Sequence, residues 1–322
     1  MARTNYEKWA NLFEREIHSP KSVEILEKID VGYNSIVYLV SVNGRDYAVK
    51  IYSKRYNGTE VCFKERNHIL RARESIADAV PEVIFCSGHR ENEFDREILV
   101  MEKAMGVPLN RKVFNERFFK ELINVLKRLH RTGADNSREI DEMERIQKCR
   151  KTILQFLEED EIIAKERASN HLDALRSYYL QKKGIFNLGR TLTHGDLWWD
   201  NILVDDAKVR IVDWLESSEQ DYCRDLAQLK IGTLDEILDG NRSQYFFEKI
   251  LDAYKEEFQD ETIFERMRYH VPMMYLEESF YLPFRFFPWQ VKYQEDAEDF
   301  RKRFIHYFAK SESFLRYEQG SR

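Results

Sequence analysis

Thr193-His194-Gly195-Asp196-Leu197-Trp198-Trp199-Asp200-Asn201-Ile202-Leu203-Val204, followed by Arg210-Ile211-Val212-Asp213-Trp214, is the stretch that decides how this chain is read. An Asp, an Asn five residues on and a second Asp twelve residues after that each stand beside a short apolar run. Phosphoryl transfer from a nucleotide needs a carboxylate to receive the acceptor hydroxyl's proton and oxygen ligands to hold magnesium. Asp196 suits the first task; Asn201 and Asp213 suit the second. The runs Ile202–Val204 and Val209–Val212, joined by the turn-forming Asp205-Asp206, read as a hairpin. A catalytic loop precedes it and a metal-binding Asp ends it. His-Gly-Asp alone would be a three-letter match; the compound spacing carries the reading. The plain alternative is a hairpin whose polar residues only form turns.

Phosphoryl transfer makes a second, upstream demand: a glycine-bearing phosphate loop, a strand lysine and a helix glutamate, in that order. Ile29 to Val40 reads as strand, turn, strand, with Gly32 in the turn and Ser35 able to donate to a phosphate. Asn43-Gly44 supplies a tight hairpin turn into Tyr47-Ala48-Val49-Lys50-Ile51-Tyr52, where Lys50 can clamp nucleotide phosphates. The helix expected over 59–74 offers Glu60 and Glu65. Glu65 lies four residues after Val61 and four before Ile69, on their inward face, so it is the expected partner of Lys50. Glu60, in the first turn, already has an explanation in the helix dipole. Ile98 to Lys103 reads as a strand that the Gly106-Val107-Pro108 break turns into a linker. In a two-lobed nucleotide enzyme this is the hinge, and Met101 and Lys103 are the residues expected beside the adenine. The plain alternative is a strand leading into a loop.

These motifs resemble the aminoglycoside phosphotransferase and choline kinase family, small-molecule kinases that share the protein-kinase fold. His194-Gly195-Asp196 with Asn201 resembles its catalytic loop, and Ile211-Val212-Asp213-Trp214 with Glu216 resembles its metal motif. Arg224-Asp225-Leu226-Ala227 resembles the Asp-Leu-Ala that follows in many members. The likeness runs in motifs from about Glu24 to about Leu229. It departs in having a single loop glycine and in Leu215, which separates Trp214 from Glu216. The resemblance implies an α+β, bilobal protein-kinase-like fold. Its small β-rich N-lobe would span 1–103 and its larger, mainly helical C-lobe 104–322; the stripe Tyr6, Trp9, Phe13 and Ile17 by itself predicts an amphipathic leader helix over 5–18. It implies ATP or GTP and Mg2+ as cofactors and a small-molecule hydroxyl acceptor as partner. His194 would then be a scaffold residue, and Asp225 a support for the catalytic loop. Aminoglycosides, choline, ethanolamine, amino-sugars, ketoamines and homoserine are acceptors the family allows.

A protein Ser/Thr kinase is the second reading and a catalytically silent nucleotide-binding module the third. The first of these is disfavoured by Gly195 where protein kinases carry Arg, and by Trp-Leu after Asp213. The short segment from Asp213 to Asp225 also leaves no room for a long activation segment. At 322 residues the chain can bury two cores. Its 43% hydrophobic and 13% aromatic content suits a packed protein, and its net charge of −6 disfavours nucleic-acid binding. The four cysteines are scattered and form no metal-cluster pattern, as expected of reduced thiols in a cytoplasm. No apolar run approaches the roughly 20 residues needed to span a bilayer. The sequence sets no oligomeric state.

Two further groups of residues have a functional and a plain reading. Glu216, Glu219 and Asp221 can meet a cationic acceptor or simply solvate a loop. Between Tyr275 and Tyr293, Glu277 and Glu278 precede a run of aromatic residues that includes Phe280, Tyr281, Phe284 and Trp289. That segment can wall an acceptor site; the plainer expectation is a buried connection between helices.

Overall fold

A computed structural model describes residues 2–14, 17, 20–29, 34–133, 142–159, 163–186, 190–206, 208–286 and 294–320. The chain forms two compact units, Met1–Thr132 with His194–Ser218, and Gly133–Thr193 with Glu219–Arg322.

The first unit is built on a five-stranded antiparallel sheet of order β1-β2-β3-β5-β4. Its strands are β1 (Val23–Ile29), β2 (Ser35–Val42), β3 (Arg45–Tyr52), β4 (Val83–Ser87) and β5 (Ile98–Glu102). The β2–β3 turn is Asn43-Gly44, with φ of 53° and 81°, the pair of left-handed residues that a two-residue hairpin of native twist requires. Helix α1 (Ala2–Glu14) buries Trp9, Leu12 and Phe13 against Val40, Val42, Tyr47, Val49 and Val100. Helix α1 covers most of the leader expected over 5–18, of which residues 15, 16 and 18 lie outside the described residues.

Helix α2 (Val61–Ile76) begins two residues later than the sequence pattern suggests. Glu60 sits at φ 57°, outside the helix. The Glu97 carboxylate accepts from the Glu60 and Cys62 amides at 2.9 and 3.1 Å, so an acidic side chain from the strand side satisfies the first helical N–H groups.

After β5, Gly106 has φ 119°, and a Cβ there would lie 2.8 Å from the Val204 carbonyl oxygen. Only glycine lets β6 (Val107–Pro108) approach β8 closely enough to pair. With α3 (Glu116–His130), the hairpin β8 (Ile202–Asp205) and β9 (Lys208–Ile211), this packing draws the catalytic segment into the first unit. That unit therefore reaches beyond residue 103.

The second unit contains β7 (Arg190–Thr193), all but the first residue of β10 (Ser218–Asp221) and helices α4 (Glu142–Glu159), α5 (Lys165–Lys182), α6 (Cys223–Leu229), α7 (Asp235–Ile237), α8 (Gly240–Phe258), α9 (Ile263–Phe286) and α10 (Gln294–Gly320). Its core joins Ile153 and Leu157 of α4, Leu172 and Leu175 of α5, Met273 and Leu276 of α9, and Phe304 and Phe308 of α10. Among the described residues no helix is long and apolar enough to cross a membrane.

Candidate active site

The loop before β8 is held by two residues that leave it no other path. Gly195 has φ 79°, and a Cβ on it would fall 2.4 Å from the Glu216 carbonyl oxygen. His194 is fully buried. Its Nε2 lies 3.1 Å from the Val212 carbonyl, and the Asp196 amide donates to its Nδ1 at 3.2 Å. Those two bonds assign the ring proton to Nε2, which donates, while Nδ1 accepts. The ring also stands edge-on to Trp214 at 4.6 Å.

Asn201 ties the loop to itself. Its Nδ2 donates to both the Asp196 carbonyl and Asp196 Oδ2 at 2.9 Å, while its own carbonyl accepts from Val212. The side-chain donor is thereby spent on Asp196, leaving Oδ1 as the end that can face a cation. Asp196 itself is half-buried. Burial and the neighbouring Asp213, Glu216 and Asp200 carboxylates push its pKa up to about 7, against the stabilising bond from Asn201.

Asp213 follows β9 with φ 64°, a left-handed conformation that costs a non-glycine residue about 1 kcal/mol or more. Its Oδ1 lies 2.7 Å from Lys50 Nζ. Lys50, on β3 between Val37 and Leu99 of the flanking strands, also donates to Glu65 Oε1 and Oε2 at 3.0 and 2.8 Å. Burial works to lower the Lys50 pKa, but Glu65 and Asp213 outweigh it and hold the ammonium well above its usual range. Burial would likewise raise the pKa of Asp213; the Lys50 cation brings it below the ordinary carboxylate value. The lysine is enclosed, whereas 42% of the Asp213 side chain is exposed.

Glu65, rather than Glu60, is thus the partner of Lys50, as the helical face predicts. Its carboxylate takes two further donors: the Tyr52 hydroxyl and, at 3.2 Å, the Trp214 amide. Ser35 opens β2, buried, opposite Tyr52 in the ladder. Met101 is buried on β5. Lys103 turns its ammonium and its amide to Asp46, at 3.1 and 3.4 Å. Gly32 lies outside the described residues.

The acidic side chains weighed as acceptor contacts divide. Glu216 is exposed. Asp221 is buried, bonded to Arg266 and accepting from the Cys223 amide at 2.9 Å, and so serves the fold of the second unit. Glu277 is occupied by Arg145, whose guanidinium holds its pKa down at about 2 although burial alone would raise it. Asp225 is fully buried on α6. The side chains from Phe280 to Trp289 lie outside the described residues.

Tyr52, Glu97 and His68, whose Nδ1 lies 2.9 Å from the Trp214 carbonyl, escape sequence reasoning. Glu97 and His68 reach their partners over long stretches of chain. For Tyr52 a signal did exist, since it shares a strand with Lys50 two residues earlier and so points to the same side of the sheet.

A sheet lysine bonded to a helix glutamate, with an Asp-Asn loop and a strand-end Asp, is the arrangement of a protein-kinase-like phosphotransferase. A model of the phosphotransferase enzyme family (APH) matches residues 25–262, about three-quarters of the chain, and the chain belongs to that family. It is a kinase-type phosphotransferase with an alcohol group as acceptor, of α+β protein-kinase-like fold. No curated protein compared with the chain matches it. Among solved structures it is similar to a thermostable mutant of aminoglycoside phosphotransferase APH(4)-Ia, with 15% identity over 97% of this chain and 100% of that one and a TM-score of 0.66. It is also similar to a choline/ethanolamine kinase family protein from Mesorhizobium loti, with 16% identity over 98% and 95% and a TM-score of 0.66. Spectinomycin phosphotransferase APH(9)-Ia, in complex with ADP and spectinomycin, shares 14% identity over 93% of both chains, with a TM-score of 0.63.

Proposed function

We propose that this phosphotransferase moves the γ-phosphoryl group of ATP or GTP to a hydroxyl of a small, amine-bearing alcohol or sugar, with Mg2+, in the cytoplasm. The observation that carries the reading is the joining of Lys50, Glu65 and Asp213 into one hydrogen-bonded group, beside the Asn201–Asp196 pair. The ADP bound to one structural neighbour supports nucleotide use. Residues 1–103 would bind the nucleotide and 104–322 provide the catalytic loop and acceptor site.

Asp213 and Asn201 fit a magnesium site. Among the described residues no three His, Cys, Asp or Glu side chains converge on a metal position of their own. One carboxylate and one amide oxygen are what Mg2+ takes from a protein when water and phosphate oxygens complete its shell. When bound, the ion would neutralise triphosphate charge. Lys50, positioned by Glu65, would clamp the phosphates, with Gly32 and Ser35 as further phosphate contacts and Met101 and Lys103 at the adenine end. Asp196 orients the acceptor hydroxyl and receives its proton, and a proton affinity near neutrality suits that role. Most of the rate enhancement comes from positioning and charge compensation, since no covalent intermediate is required.

Nucleotide turnover with ATP and GTP, against aminoglycosides, choline, amino-sugars and amino-acid alcohols, tests this reading. Acceptor-dependent ADP or GDP release that vanishes in Asp196→Asn is expected. Binding of Mg-nucleotide without turnover on any acceptor would point to a silent module, and autophosphorylation with Mg-ATP alone to a protein kinase.

A further inference from the structure

Trp214 follows the strained Asp213, and every polar group it has is held. Its amide donates to Glu65 Oε1 at 3.2 Å, its carbonyl meets His68 Nδ1 at 2.9 Å, and its indole N–H donates to the Ile211 carbonyl at 3.0 Å. The side chain is fully buried. Glu65 and His68 are three residues apart on α2 and therefore project from the same face. One helix turn thus grips both peptide planes that flank the Trp214 Cα. The first of these planes ends the Asp213 residue, whose φ is 64°. A left-handed aspartate persists only where its surroundings over-determine it.

We propose that His68 is a positioning residue for phosphoryl transfer: with Glu65 it clamps the Trp214 backbone and keeps Asp213 turned toward Lys50 and the metal. Glu65 fixes one peptide; the following carbonyl also accepts from the Ser217 amide at 3.2 Å, a bond within its own turn, so without His68 that peptide loses its tie to α2 and the backbone after Asp213 relaxes. The clamp is a matter of geometry, while its consequence for metal binding rests on the phosphotransferase mechanism proposed above. The bond also sets a chemical requirement. A carbonyl can only accept, so His68 must carry its proton on Nδ1. Burial lowers the His68 pKa although the Trp214 carbonyl opposes it, which favours a neutral ring. Neutral His68 is therefore an Nδ1–H tautomer, opposite to the assignment for His194.

Two measurements on the full-length protein test this. Nitrogen-15 NMR of unliganded wild type at neutral pH reads the tautomer directly, with Nδ1–H expected at His68. The second is the Mg2+ midpoint for binding a non-hydrolysable ATP analogue, in His68→Ala, His68→Asn and His68→Gln. The Asn amide reaches the place of Nδ1, whereas the Gln amide reaches that of Nε2. The midpoint should rise about tenfold in His68→Ala, the worth of one net hydrogen bond, recover in His68→Asn and stay raised in His68→Gln. An Nε2–H tautomer, an unchanged midpoint in His68→Ala, or equal behaviour of the Asn and Gln variants overturns the proposal. Should wild type bind no Mg-nucleotide, the mechanism falls instead, and the tautomer still decides whether the clamp exists.

Discussion

Asp196 in the first unit and Asp221 in the second are both withdrawn from water, yet their environments push them in opposite directions. Burial works to raise the pKa of Asp221, but the Arg266 guanidinium and His270 hold it far below the usual carboxylate range. Around it the charges close on themselves. Arg266, fully buried, bonds Asp221 and Asp260 and lies over the Tyr222 ring at 4.7 Å. Asp196 faces other carboxylates and an amide, and its pKa rises to about 7. Carboxylates matched by arginine hold a fold, whereas carboxylates that raise one another's proton affinity are the setting of a functional site.

The largest expected effect breaks the open cluster. Asp213→Asn removes the charge that faces both Lys50 and the metal and should abolish Mg2+-dependent nucleotide binding, read by calorimetry. Normal Mg-nucleotide affinity in that variant would show the metal assignment to be wrong. Next comes the closed cluster. Arg266→Leu leaves Asp221 and Asp260 without their cation and should cost about 3–5 kcal/mol of stability in urea unfolding, the usual penalty for orphaning buried charge. Stability close to wild type would mean that water or rearrangement compensates these carboxylates.

Smaller effects sharpen the contrast. Tyr52→Phe deletes one donor to Glu65 and should lower kcat by about tenfold or less, the scale of a single hydrogen bond, with the fold intact. The smallest is a stability change with a defined sign. The raised Asp196 pKa means that the folded chain binds this proton more tightly than the unfolded chain does. The resulting stabilisation is complete below the unfolded pKa and is lost as pH rises through about 7. Asp196→Asn should therefore melt a little higher than wild type at about pH 8, and the two should converge toward about pH 4. A variant melting below wild type at the higher pH would contradict the environment assigned to Asp196.

The catalytic loop, the strand lysine and its helix partner were legible in the sequence because each is local. Asp196 and Asn201 are five residues apart on one loop, and Glu65 declares itself by sharing a face with Val61 and Ile69. What the sequence hides is held by long-range contacts. Glu97 capping α2 and His68 bonding Trp214 arise only once the sheet, helix and hairpin are brought together. The same reason explains the helix starts. Glu60 has a good helical composition around it, but Glu97 takes its amide and the helix begins one residue later, at Val61. In the second unit, the acidic residues Asp221 and Glu277 invite a role with a cationic substrate, and their arginine partners, distant in sequence, decide otherwise. The identity of the acceptor rests on surfaces that neither motifs nor these closed ion pairs describe.

The most direct test of the division of labour in the open cluster is single-turnover phosphoryl transfer by wild type and Asp196→Asn, at saturating Mg-nucleotide and with the best acceptor. Nucleotide affinity should stay near wild type while transfer falls by about a hundredfold to ten-thousandfold, as loss of a general base does. Transfer that survives in Asp196→Asn would contradict the assignment of Asp196 as the residue that receives the acceptor's proton.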